Sequence, residues 1–150
     1  MVHNPTGRKV EVLLVQQIPE RVVALESGEP EFVLLICNGG ALKNPSVKQA
    51  RSLIESGASY ICAWGADCEV IEETFDHAAF LPELGPQLPF TLMTTSLANQ
   101  PYEEAFHFAL NWARPPDDLH AKLDRVVVLT DDLAIRERCI AWLNAENNQH

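Results

Sequence analysis

The stretch SYICAWGADCEVIEETFD, residues 59–76, places Cys62 and Cys68 either side of Trp64-Gly65 and follows them with a run of acids. A cysteine acts as nucleophile or metal ligand only as thiolate, and the positive end of a helix favours that form. Cys68 falls on the first residue of an expected helix, which makes it the reactive candidate. Against that role, Asp67, Glu69, Glu72 and Glu73 surround it with charge that opposes another anion. The spacing is not the C-x-x-C of thiol redox proteins, and a cysteine phosphatase loop needs arginine where Cys68 stands. His77 cannot serve as its base, because nine helical residues span about 13.5 Å.

Three other groups carry possible chemistry. In the segment CNGG, Asn38, Gly39 and Gly40 could bring backbone N–H groups to an anion, although neither G-x-G-x-x-G nor a Walker lysine is present and a plain turn accounts for the glycines. Asp67, Asp131 and Asp132 could hold a divalent ion, but each also stands where a helix N-cap is required. Thr94 and Thr95 end a strand. No G-x-S-x-G exists, and the cysteines and histidines lack zinc spacing, so neither a catalytic signature nor a cofactor is expected.

The elements that must position these residues alternate between strand and helix, the pattern of a parallel sheet flanked by helices. Strands are expected at 9–16, 31–37, 59–64, 90–96 and 125–130. Helices are expected at 19–28, where an irregular connection is the alternative, at 44–57 with Asn44 as cap and Pro45 first, at 67–80 capped by Asp67, at 101–113, and at 132–145 capped by Thr130 or Asp131. Glu69, Glu72, Glu73 and Asp76 read as the wet face of the third of these helices, while Trp112 and Trp142 read as core. Trp64 ends a strand, where it could face a crevice or a partner. The fold class is α/β, a single three-layer Rossmann-like or flavodoxin-like domain over 1–150 with a mainly parallel sheet of about five strands. Residues 1–8 and 146–150 are expected to fray. In such sheets ligands gather beyond the carboxyl ends of the strands. Asn38, Gly39, Gly40, Trp64, Gly65, Asp67, Cys68, Thr94, Thr95 and Asp131 are therefore the ligand-binding candidates.

Composition narrows the partners. Eleven Lys and Arg against twenty-one Asp and Glu give a net charge of −10, which repels nucleic acid and anionic lipid. The strongest apolar run, FVLLIC, is far shorter than the roughly 20 residues of a membrane span, and the first residues lack signal-peptide character. A cytoplasmic protein with reduced thiols is the expectation.

The segments GASYICAWGADCEVIEETFDHAAF and FTLMTTSLANQPYEEAFHFALNWARPP, covering about residues 57–115, resemble a small bacterial family of domains of unknown function. That family has an Ala-Trp-Gly-x-x-Cys strand end and a Met-Thr-Thr strand end leading into a Glu-Glu helix. The resemblance implies no activity, cofactor or partner. It matches Trp64, Gly65, Asp67, Cys68, Thr94, Thr95, Glu103 and Glu104, but where the family places Trp-His after Thr-Thr this chain has Ser96-Leu97.

These residues favour a non-enzymatic module that binds a protein partner or small ligand at the carboxyl edge of its sheet. The rivals are a divalent-metal-dependent hydrolase or nucleotide-processing enzyme built on Asp67, Asp131 and Asp132, and a structural subunit of a homo-oligomer.

Overall fold

Near-continuous apolar runs can sit only where both faces of a strand are covered. The computed structural model, which describes residues 7–20, 22, 31–119 and 122–147, puts two such runs at the centre of a parallel sheet. In chain order the elements are β1 (Lys9–Leu14), β2 (Phe32–Asn38), α1 (Val47–Glu55), β3 (Ala58–Gly65), α2 (Cys68–Phe80), β4 (Met93–Ser96), α3 (Tyr102–Asn111), β5 (Arg125–Thr130) and α4 (Leu133–Asn147). A 3-10 turn at Pro82–Leu84 separates α2 from β4. β2 and β5 are buried at every position and pair with each other, whereas the partly exposed β1 and the short β4 form the edges.

The strand order is β1-β5-β2-β3-β4, all parallel. From β4 across to β1 this is the Rossmann-like order 3-2-1-4-5 with its last strand supplied by the start of the chain. The same spatial order becomes flavodoxin-like if the chain is read from β5, so the two expected topologies are permutations of one arrangement.

Period-two alternation divides the core into two layers. Leu34, Ile36, Ile61, Val127 and Leu129 meet Ala50 and Leu53 of α1 and Ile71 and Phe75 of α2. On the opposite face Val33, Leu35, Cys62, Val126 and Val128 meet Phe106 and Leu110 of α3 and Ile135 and Cys139 of α4. The switch in helix side falls between β2 and β5.

Several boundaries differ from the sequence reading. α1 begins at Val47, with Ser46 rather than Asn44 as its cap; Ser46 Oγ accepts from Gln49 N at 3.1 Å while Gln49 Oε1 accepts from Ser46 N at 2.8 Å. That reciprocal pair satisfies two otherwise orphan donors, which a lone Asn44 does not. β1 stops at Leu14. β4 is confined to Met93–Ser96, because Asp118 captures Thr91 N at 3.0 Å and holds the preceding residues off the sheet. Trp112, expected in the core, lies 59% exposed at the end of α3. The expected helix at 19–28 falls largely outside the described residues.

Two buried arginines fasten helix ends. Arg51 donates to Ala78 O and Ala79 O at the end of α2 and to Pro86 O at 2.6 Å, with Glu55 as its ion partner at 2.8 Å. Arg8, placed by sequence in a fraying terminus, is buried and donates to Ala109 O and Ala113 O at the end of α3. Helix C-termini carry orphan carbonyls and partial negative charge, so both cations are well placed.

Candidate functional site

The loops after β2 and β5 meet where the topology reverses, the place at which a doubly wound sheet opens a crevice. Here the crevice is filled by the chain itself. Asp131 accepts from Gly39 N at 2.6 Å through Oδ1 and from Ala41 N at 2.8 Å through Oδ2. Asn38, buried at the end of β2, accepts from Gly40 N at 2.8 Å and Leu42 N at 3.2 Å. The N–H groups that CNGG could offer to an external anion are thus held by internal acceptors. Gly39 is close to Asp132, whose Cβ lies 3.0 Å from where a Cβ on Gly39 would stand.

The loop after β3 is tied to the same point. Ala66 N donates to Asn38 O at 2.9 Å, and a Cβ on Gly65, at φ +91°, would meet that same oxygen at 2.1 Å. Only glycine fits there. Val15 N to Thr130 O at 2.8 Å and the Gln17–Lys43 bridge complete the lacing.

Asp67 precedes α2 as expected, but its left-handed backbone, φ 56°, turns its side chain away from the helix N–H groups and makes no capping bond. Its carboxylate instead accepts from Asn44 Nδ2 at 3.4 Å. The cap of α4 is neither Thr130 nor Asp131. Asp132 Oδ1 accepts from Ala134 N at 2.9 Å, which frees Asp131 for the Gly39 loop. Each member of the Asp67, Asp131 and Asp132 set therefore has a separate local role. Among the described residues, no three His, Cys, Asp or Glu side chains converge on an ion position.

Cys68 is the first residue of α2, but it is 5% exposed, and Ser96 Oγ donates to its Sγ at 3.3 Å. One stripe of α2 continues this contact along β4. Glu72 accepts from the Ser96 backbone N–H, and Asp76 Oδ1 accepts from Thr94 Oγ1 at 2.8 Å. Burial foremost, then the Asp76 carboxylate, pushes the Glu72 pKa above its ordinary value. Of the acids read as one wet face, Glu69 and Glu73 are exposed while Glu72 and Asp76 lean on the sheet edge. The stripe was legible only as i, i+4, i+8 spacing, and nothing in the sequence said what it faced.

Thr94 and Thr95 do not share a site. Successive strand residues point to opposite faces, so Thr95 Oγ1 pairs with Tyr60 OH at 2.9 Å on the α3 side. Trp64 is pinned, its Nε1 donating to Gln100 O at 2.7 Å and its ring edge-on to Tyr102 at 5.3 Å. Leu97, where the family pattern places histidine, is 3% exposed within the α3–α4 layer. His77 is an exposed helix residue near Glu73.

All four cysteines are free thiols, and Cys37, Cys62 and Cys139 are wholly enclosed. Tyr102 and Cys139 share a hydrogen bond. Burial pushes the Cys37 and Cys62 thiols well up and Cys139 to about 11, which leaves them protonated at neutral pH.

No curated protein and no solved structure matches the chain. A family model described as Domain of unknown function (DUF7684) matches residues 11–146, extending the resemblance at the strand ends of β3 and β4 across all five strands and four helices, and the chain belongs to that family.

Proposed function

We propose that this domain is a non-enzymatic module that binds a protein partner through the carboxyl edge of its sheet. The observation that carries this reading is the Asp131 carboxylate seated on Gly39 N and Ala41 N, in the crevice where a nucleotide or metal-bound substrate would have to enter. A closed crevice offers surface in place of a pocket. Leu14, beside Thr130 in register, and Leu133, at the start of α4, flank that closed loop at 49% and 52% exposure. Exposed apolar groups around a rigid backbone platform suit a macromolecular contact.

Two measurements test the proposal together. Thermal melts with Mg²⁺, Mn²⁺, phosphate and a nucleotide panel are expected to leave the melting temperature unchanged, since only ligands that bind the native state raise it. Cross-linking in native lysate is expected to capture a discrete partner that Leu14→Lys and Leu133→Lys both release. A ligand-dependent rise in melting temperature, or capture indifferent to both substitutions, overturns the reading. A homo-oligomer in light scattering that the same substitutions dissolve would identify the partner as a second copy.

A further inference from the structure

Among the described residues, β4 pairs on one side only. Leu97 N donates to Ala63 O at 2.8 Å, and Thr95 and Ser96 lie opposite Cys62 and Ala63. In a parallel ladder, alternate residues aim both N–H and C=O at the neighbouring strand. Met93, Thr95 and Leu97 therefore face β3, while Thr94 presents its N–H and C=O outward and Ser96 its C=O, the Ser96 N–H being held by Glu72.

The two faces beside this open edge differ in chemistry. On the α2 side stand the carboxylates of Glu72 and Asp76, a turn apart, with Glu69 close enough to Glu72 to add to its repulsion. On the α3 side, Met93 is 39% exposed beside Tyr60, against whose ring Phe108 packs edge-on at 6.2 Å. Trp112, one turn beyond Phe108, extends this apolar side.

We propose that the β4 edge accepts an extended segment of a partner protein whose residues alternate between basic and apolar. Added as a sixth strand, such a segment would exchange backbone hydrogen bonds with Thr94 and donate one to the Ser96 carbonyl, leaving the Ser96 N–H on Glu72. Its alternating side chains would set Lys or Arg against Glu72 and Asp76, and apolar groups against Met93. The acids also explain what is excluded. A second copy of this chain, carrying net charge −10, would bring its own Glu72 and Asp76 to the same edge, and like charges opposed across strands are destabilising. The carboxylates thus guard the edge against self-pairing while marking it for a cationic strand.

This surface is separate from the carboxyl-edge platform, so its test leaves Leu14, Asp131 and Leu133 untouched. The probe is a fluorescent seven-residue peptide alternating lysine with valine, with glutamate–valine and lysine–serine peptides as controls, read by anisotropy on the full chain. The lysine–valine peptide is expected to bind most tightly. Glu72→Gln with Asp76→Asn should weaken it about tenfold by removing the charge pairing. Thr94→Pro, which deletes an outward N–H and spares the ladder to β3, should abolish binding while the melt stays cooperative. Preference for either control peptide, retention of the lysine–valine peptide by both variants, or a β4-mediated dimer that Thr94→Pro dissociates each overturns the proposal.

Discussion

Asp131 and the enclosed thiols each have a role set by their surroundings. Asp131→Ala removes the acceptor of two backbone N–H groups, each such charge-assisted bond being worth roughly 1.5–3 kcal/mol when protected from water. The site is partly exposed, so a loss of about 2 kcal/mol is expected in urea unfolding, with Asp131→Asn nearly as damaging because its amide nitrogen cannot accept. An unchanged midpoint would show that the loop holds itself. The thiols give a pH signature. A raised folded pKa means the folded state keeps protons that the unfolded chain releases above about pH 8.5. Their contribution is therefore complete below that pH and is lost as pH climbs toward the folded values, Cys139 reaching about 11. The melting temperature should fall steadily from about pH 8.5 upward, and thiol reagents at neutral pH should label native Cys37, Cys62 and Cys139 far more slowly than the denatured chain. A flat profile to pH 10, or native thiols that react like free cysteine, would contradict this reading of their burial.

The secondary elements depend on contacts that local sequence does not announce. The start of α2 at Cys68 and the turn at Gly57 were readable, because helix starts and stops follow residue type. The cap of α1 was misassigned since Asn44-Pro45 and Ser46 both satisfy the pattern, and the choice fell to the Ser46–Gln49 reciprocal pair. Arg51 and Arg8 were invisible as structural residues, because their carbonyl partners lie 27 to 105 positions away. Arg51→Ala leaves the end of α2 without its donor and opens a buried space, so a loss of about 3 kcal/mol is expected in denaturant unfolding. Arg51→Lys should recover only part, since one ammonium cannot reach the carbonyls of Ala78 and Pro86 in the same fork. If Arg51→Ala unfolds at the wild-type midpoint, the bonds to Ala78 and Pro86 contribute nothing to stability.

Over the whole molecule, stability should follow position in the sheet. β2 and β5 are paired on both sides and wholly buried, so their amides should exchange only on global unfolding, whereas the outward amide of Thr94 should exchange orders of magnitude faster. Equal protection of β4 and β2 would mean that the β4 edge is already covered. The sequence by itself determined the α/β class, the five strands, the carboxyl-edge residues and the family resemblance, because apolar periodicity and turn chemistry are local properties. Only the tertiary structure decided that β1 lies beside β5, that Asp131 closes the crevice, that Thr94 and Thr95 part to opposite faces, and that Glu72 and Asp76 line β4. Those outcomes depend on which strand ends meet in space, and the pairing of distant strands is fixed by burial over the whole sheet and by no short stretch of chain.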